Sequence, residues 1–203
     1  MKRIIYIDFD GTLLADDRSL PEVNRQCLKR LLSDGHILAF NTGRSIKSGM
    51  GLIKGFGLSD PNIYLLSFQG NMIYHPAEEK VLYESGIERN DGVELLKKVN
   101  SMGIYCHTYN DEGLLTIEDM GNENLKKYVE ITGEPVAYID SWEEVKTPTI
   151  PKVICIDYKH PEKLHELYDE YHSSGDERFE NFFSTVCYLE FTKKGTNKGV
   201  GVK

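Results

Sequence analysis

The stretch Ile4-Ile5-Tyr6-Ile7-Asp8-Phe9-Asp10-Gly11-Thr12 joins a run of apolar and β-branched residues to two carboxylates two positions apart. A continuous apolar run predicts a strand buried on both faces of a parallel sheet. Residues i and i+2 of a strand share a face, so Asp8 and Asp10 can both project beyond its carboxyl end. Ligands of open α/β sheets bind at that edge. The stretch therefore predicts both a fold class and the position of a site.

Two further strands and two helices are predicted downstream of this stretch. Residues 37–40 form a second apolar run, and residues 62–67 form a third after the Asp60-Pro61 breaker. Helix signals lie between the runs, one beginning near residue 21 and the other extending to about residue 54. The order β-α-β-α-β predicts a parallel sheet with right-handed crossovers.

The pattern changes after residue 75. Helix-like and strand-like segments follow at residues 92–102, 103–108, 122–132, 152–157, 161–172 and 186–192. We therefore predict an α+β unit at residues 81–187, inserted into a core made of residues 1–80 and 188–203.

Composition limits the class of protein. The 203 residues include 24 Lys and Arg against 32 Asp and Glu, a net charge of −8 that repels a phosphate backbone, so no nucleic-acid partner is expected. No stretch approaches the roughly 18 apolar residues of a membrane span, so no membrane partner is expected. The cysteines, Cys27, Cys106, Cys155 and Cys187, form no C-x-x-C motif. They predict free thiols and a cytoplasmic location rather than a disulfide framework or zinc ribbon.

The paired carboxylates suggest phosphoryl chemistry. Asp8 and Asp10 repel each other, and a hard divalent cation relieves this repulsion, with Mg²⁺ favoured where it also bridges a substrate phosphate. An ionised carboxylate suits attack on phosphorus, while a partly protonated neighbour suits general acid catalysis. Gly11 permits a tight exit and a close approach of backbone to an anion. The alternative is that Asp10-Gly11 is only a turn and Asp8 a solvated strand end.

Two more segments carry polar residues suited to phosphate. Thr42-Gly43-Arg44 ends the second strand and opens a helix, where a hydroxyl and free N–H groups make a phosphate cradle. The alternative there is an ordinary helix N-cap by Thr42. Lys198 follows a strand near the end of the sequence, and taken alone it would be a solvated surface lysine.

Together, the Asp-x-Asp-Gly-Thr stretch, the strand-ending Thr-Gly-Arg and a Lys after a large insertion resemble the haloacid dehalogenase superfamily. More narrowly, the chain looks like the Cof-like phosphatases, whose α/β cap is inserted between the second and third motifs. The resemblance covers the whole chain. It implies a Rossmann-like core of the α/β class, with a parallel sheet incomplete at its C-terminus, and an inserted α+β cap domain.

The resemblance also implies roles for individual residues. Asp8 would be the nucleophile that becomes an aspartyl phosphate, and Asp10 the general acid and then the base for the hydrolytic water. Mg²⁺ would bind the Asp8 carboxylate and the Asp10 backbone carbonyl. The implied phosphate-binding residues are Gly11, Thr42, Gly43 and Lys198. Arg44 matches the family pattern and is a candidate substrate-binding residue.

Two departures from the family pattern bear on these expectations. Phe68-Gln69-Gly70-Asn71 stands where the family usually has Asn-Gly, and we interpret Gln69 as a tolerated change. The family's fourth motif, Gly-Asp-x-x-Asn-Asp, has no counterpart after Lys198, so weaker Mg²⁺ binding is expected. The strand at residues 2–7 should then lie at the edge of the sheet, where an apolar strand invites pairing with another chain. Self-association or a poorly stable monomer is expected.

Three functions are compatible with these patterns. The leading interpretation is a Mg²⁺-dependent phosphomonoesterase acting on a small phosphorylated metabolite that the cap selects. The second is a catalytically impaired relative that binds phosphate or regulates, supported only by the missing motif. The third is a phosphoacceptor domain of the receiver type, against which the inserted unit and the Asp8-Phe9-Asp10 pattern argue.

Overall fold

The computed structural model describes residues 1–199 and 201–202. The chain forms two compact units, one made of Met1–Glu84 with Thr196–Lys203 and the other of Ser85–Gly195. Each unit has its own sheet and its own apolar core. This is a mixed α/β fold with one inserted unit, as the sequence predicts.

The first unit is built on a five-stranded sheet in the order β1-β2-β3-β4-β5. Its strands are β1 (Ile4–Ile7), β2 (Ile37–Asn41), β3 (Ile63–Ser67), β4 (Met72–His75) and β5 (Lys80–Glu84). The first three strands are parallel, while β4 and β5 form an antiparallel hairpin on β3. Helices α1 (Glu22–Ser33) and α2 (Ile46–Gly55) connect the parallel strands. The predicted β-α-β-α-β order is confirmed, whereas the hairpin was not predicted.

Strand β1 was predicted to be buried on both faces, but one of its faces is exposed. Ile4 is 53% exposed and Tyr6 40% exposed, while Ile5 and Ile7 pack against the apolar core of the unit. The physical reason is position, because β1 pairs only with β2 and stands at the edge of the described sheet. The predicted edge position of this strand is confirmed among the described residues.

The second unit contains a six-stranded sheet in the order β12-β13-β11-β7-β8-β9 and a small sheet of β6 and β10. The strands are β6 (Ile87–Glu88), β7 (Tyr105–Asn110), β8 (Gly113–Thr116), β9 (Val136–Tyr138), β10 (Thr149–Ile150), β11 (Val153–Ile156), β12 (Phe179–Thr185) and β13 (Tyr188–Lys193). The helices are α3 (Arg89–Ser101), α4 (Glu123–Thr132) and α5 (Glu162–Ser174). In the described part of the chain, no helix combines the length and the apolar character that crossing a membrane requires.

The boundaries between the units differ from the predicted ones. Residues 81–84 belong to β5 of the first sheet, and the second unit extends to Gly195 rather than ending at Cys187. The predicted core segment at residues 188–203 therefore divides, because β13 pairs with β11 and β12 inside the second unit. Strand β12, which pairs with β13, was not predicted, so this pairing was not anticipated. Positions 200 and 203 of the predicted core segment lie outside the described residues.

One face of the second unit's large sheet carries a buried polar cluster. The ring of His107 is fully buried, and its Nε2 lies 3.4 Å from the hydroxyl of Tyr109, which is 2.7 Å from the hydroxyl of Tyr128. Lys152 and Glu190 form an ion pair of 3.0 Å, and both are almost wholly buried. Burial holds the pKa of His107 well below its ordinary value, and the charge of Lys152 lowers it further.

The lowered pKa of His107 predicts acid sensitivity. The ordinary histidine pKa is 6.5. As pH falls below that value, His107 binds a proton in the unfolded chain but stays neutral in the folded protein. The free energy of unfolding therefore falls by about 1.4 kcal/mol per pH unit. His107→Gln should reduce the pH dependence of the free energy of unfolding, measured with urea, between about pH 7 and about pH 5. His172→Gln, at an exposed position, should leave it unchanged. An equal slope in wild type and His107→Gln would contradict the prediction.

Candidate active site

The turn that follows β1 keeps the carboxylates of Asp8 and Asp10 outside the apolar core. Phe9 is fully buried and stacks on Phe40 at a ring-centroid distance of 5.0 Å. The flanking residues Asp8 and Asp10 therefore remain at the carboxyl end of the strand, where the side chain of Asp10 is 53% exposed. The turn closes through a 3.2 Å hydrogen bond from the Leu13 N–H to the Asp8 carbonyl. Gly11 has a φ of +70°, a conformation that a residue with a Cβ adopts only at a cost.

Lys198 contacts Asp8 directly, although 190 positions separate them. Its Nζ lies 2.5 Å from Oδ2 of Asp8. The Asn41 side-chain amide donates to the Lys198 carbonyl at 3.0 Å, and the Tyr6 hydroxyl donates to the carbonyl of Val202 at 3.3 Å. These bonds hold the segment that carries Lys198 against the carboxyl ends of β1 and β2. The lysine that sequence reasoning singled out thus meets the proposed nucleophile.

Arg44 binds Asp10 through two parallel hydrogen bonds. Nε donates to Oδ2 at 2.8 Å and Nη2 to Oδ1 at 2.6 Å, while Nη1 donates to the Ser48 hydroxyl at 3.1 Å. The hydrogen bonds from Arg44 lower the pKa of Asp10, and its partial burial opposes this only in part. The pair favours the ionised carboxylate, which is the form that accepts a proton. Ser48 was not anticipated as a partner of Arg44.

The Thr42-Gly43-Arg44 segment lies at the end of β2, and Thr42 is fully buried. Its hydroxyl oxygen accepts a hydrogen bond of 3.2 Å from the Arg44 N–H. The alternative interpretation of Thr42 as a helix N-cap is wrong, because Ser45 caps α2 by accepting a bond from the Ser48 N–H. Thr42 therefore has no capping role that would account for its presence.

The loop after β3 packs against this segment. The N–H of Gln69 donates to the Thr42 carbonyl and that of Phe68 to the Arg44 carbonyl, each at 3.0 Å. A Cβ built on Gly43 would lie 2.7 Å from Nε2 of Gln69, so the carboxamide lies directly over the glycine. Gln69 was interpreted from the sequence as a tolerated change, and its contact with Gly43 was not predicted. Its departure from the family's usual Asn was the available signal.

The oxygen donors of Asp8 and Asp10 fit Mg²⁺ in kind. Proteins commonly bind this ion through one or two carboxylates, with waters and substrate phosphate completing its coordination. The described residues contain no group of three or more His, Cys, Asp or Glu side chains placed to hold a metal. The fit therefore depends on the two aspartates of the first turn together with a bound phosphate.

The geometry agrees with a comparison of the whole chain against known families. The sequence model of the haloacid dehalogenase-like hydrolases matches residues 5–203. The chain belongs to this family. The predicted resemblance to the Cof-like phosphatases is thereby confirmed, and with it the classification as an enzyme of this kind.

Relatives of this hydrolase include phosphatases whose names state a substrate. An HMP-PP phosphatase of Klebsiella pneumoniae is 27% identical over 203 residues, which cover 100% of this chain and 71% of the relative. A 5-amino-6-(5-phospho-D-ribitylamino)uracil phosphatase of Bacillus subtilis is 33% identical over 76 residues, or 37% of this chain and 27% of the relative. Both relatives therefore carry names of phosphatases that act on small phosphorylated compounds.

Solved structures of related proteins share the fold. A haloacid dehalogenase-like hydrolase from Bacteroides thetaiotaomicron aligns with a TM-score of 0.88 at 19% identity, covering 99% of this chain and 74% of that one. A protein from Thermotoga maritima aligns with a TM-score of 0.82 at 26% identity, covering 100% and 73%. The Rossmann-like core with an inserted unit, predicted from the sequence, is thus confirmed for this hydrolase.

Gly70 is where a Cβ should disturb the site most. It has a φ of +90°, and an added Cβ would lie 2.9 Å from the Asn197 carbonyl oxygen, beside Lys198. Gly70→Ala should therefore cost more than the about 1–2 kcal/mol of a left-handed alanine. Gly35→Ala is the matched control, because Gly35 has a φ of +78° and open space around it. Urea unfolding should show the larger loss for Gly70→Ala, and equal losses would contradict the prediction.

Proposed function

We propose that this hydrolase removes the phosphoryl group from a small phosphorylated metabolite through an aspartyl phosphate on Asp8. The observation that supports this most is the 2.5 Å ion pair between Asp8 and Lys198 at the carboxyl end of the parallel sheet. A carboxylate beside a fixed ammonium group can meet a phosphate whose negative oxygens the ammonium neutralises. The neighbouring pair of Asp10 and Arg44 supplies a second carboxylate and a second cation.

In the first half of the proposed reaction, Asp8 attacks phosphorus and the bond to the ester oxygen breaks. Asp10 enters this half in its protonated form and donates that proton to the leaving oxygen, and the hydrogen bonds from Arg44 then stabilise the Asp10 carboxylate that remains. In the second half, Asp10 takes a proton from water, which attacks phosphorus and releases inorganic phosphate with the Asp8 carboxylate restored. Lys198 would bind the phosphoryl oxygens by charge and Thr42 through its hydroxyl. The backbone N–H groups of Gly11 and Gly43 would also donate hydrogen bonds to these oxygens. Arg44 is proposed to contact the substrate.

Phosphatases of this family generally use a metal ion, and we propose Mg²⁺ for this one. The Asp8 carboxylate and the backbone carbonyl of Asp10 would hold it. When bound, the ion would reduce the repulsion between the carboxylate and the phosphoryl oxygens.

The proposed substrate class follows from the relatives, since the named phosphatases of K. pneumoniae and B. subtilis act on small phosphorylated compounds. We further propose that Ser85–Gly195 acts as the cap that selects the metabolite. These relatives do not favour the alternative of a binding or regulatory protein. A cytoplasmic location and the absence of nucleic-acid and membrane partners remain predictions from composition.

Substitutions of the two aspartates test the reaction. With a generic aryl phosphate, Asp8→Asn should abolish turnover and the phosphorylated intermediate seen by mass spectrometry after acid quenching. Asp10→Asn should reduce turnover by roughly 10²- to 10⁴-fold, because the acid and base steps are lost. Asp16→Asn makes the same charge change at an exposed position and should turn over like wild type. A chelator should also abolish turnover, and full activity of Asp8→Asn would contradict the mechanism.

We also propose that the β1 edge permits self-association. Ile4 and Tyr6 are exposed on a strand with one described neighbour, and such an edge can add a strand from a second copy. Light scattering should detect oligomers that Ile4→Lys reduces. Val23→Lys is the control, since it places the same charge at an exposed apolar position on α1. A stable wild-type monomer at all concentrations would exclude this association.

A further inference from the structure

The loop that follows β3 contains two strained residues in succession. Phe68 has a φ of +50° and Gln69 a φ of +62°, both in the left-handed region that favours glycine. Strained conformations of non-glycine residues persist where the surrounding structure imposes them, and they cluster at ligand sites. The surroundings here are the carbonyls of Arg44 and Thr42, which accept hydrogen bonds from the two strained N–H groups.

Those backbone bonds do not explain why the second strained residue is glutamine. Any residue with an N–H could donate to the Thr42 carbonyl, and glycine would do so without strain. Phe68 has a packing role, because its ring is 4% exposed. Gln69 is only partly buried, so packing does not account for its side chain in the same way.

The carboxamide of Gln69 has a defined position. Its Nε2 lies over Gly43, at the point where a Cβ would come within 2.7 Å. The residues on either side of Gly43 are Thr42, whose hydroxyl is proposed to bind phosphate, and Arg44, which binds Asp10. No hydrogen bond from this carboxamide to another described residue is present in the structure. The amide thus offers two N–H donors beside the proposed phosphate site.

We propose that Nε2 of Gln69 donates a hydrogen bond to a phosphoryl oxygen of the bound substrate. This inference rests on the proposed function, since it uses the same phosphate site. A neutral amide adds a donor there without adding charge beside the ion pair of Arg44 and Asp10. The glycine at position 43 is required for this, because a larger residue would displace the carboxamide from the site.

Inorganic phosphate is a suitable probe, because its binding is measured without turnover. Gln69→Glu keeps the size of the side chain and replaces the donor by an anion, so calorimetry should show a dissociation constant raised at least about tenfold. Gln69→Gly removes the carboxamide and relieves the strain. It should raise the dissociation constant several-fold while the unfolding temperature stays equal or rises. Gln69→Asn retains a shorter carboxamide and should fall between Gln69→Gly and wild type.

The chain contains one other glutamine, Gln26, which lies exposed on α1. Gln26→Glu changes the net charge equally and should bind phosphate like wild type. In NMR spectra of the wild-type protein, the side-chain NH₂ signals of Gln69 should shift as phosphate is added, whereas those of Gln26 should not. A role that only supports the fold would move neither these signals nor the affinity of the stable Gln69→Gly variant.

Thr42→Val and Lys198→Met separate failure of this inference from failure of the proposed function. If these two variants bind phosphate weakly while Gln69→Glu and Gln69→Gly bind it like wild type, the role of Gln69 is wrong and the phosphate site stands. If all four bind like wild type, or if the wild-type chain does not bind phosphate, the proposed site itself is wrong. Weakened binding in all four supports both.

Discussion

Parallel pairing of β1 with β2 and of β2 with β3 is the constraint from which the candidate site follows. Parallel strands end at the same edge of a sheet, so the segments that leave them must start close together. The turn with Asp8 and Asp10, the Thr42-Gly43-Arg44 segment and the strained Gln69 loop leave these three strands in succession. The second and third segments meet through backbone hydrogen bonds and the Gln69 carboxamide, and the Arg44 side chain joins the second segment to the first, because the sheet has already brought the backbones together.

Alternation along β1 and its turn separates structural from chemical residues. The buried ring of Phe9 anchors the turn against Phe40, which leaves the carboxylates on either side of it outside the core. Because the anchor is apolar and stacked, the two carboxylates keep their positions without being buried themselves. Their charges are met by cations from other parts of the first unit, Lys198 and Arg44.

The site also depends on close backbone approaches that side chains would prevent. Gly43 leaves room for the carboxamide of Gln69, and Gly70 leaves room for the carbonyl of Asn197. The first approach brings an amide to the end of β2, and the second keeps the Lys198 segment next to the loop after β3. The glycines therefore control which polar groups share the sheet edge, although they carry no chemistry of their own.

The sequence by itself determined the α/β class, the first five elements of the core, and Asp8, Asp10 and Thr42 as polar candidates at strand ends, whereas Arg44 and Lys198 became candidates through the family resemblance. Apolar runs and helix signals are local, and polar residues directly after such runs must lie at strand ends. Only the tertiary structure decided that β13 belongs to the inserted unit, that Arg44 binds Asp10, and that Gln69 lies over Gly43. These features depend on pairing between segments distant in the chain and on left-handed backbone at non-glycine residues, neither of which a local pattern encodes.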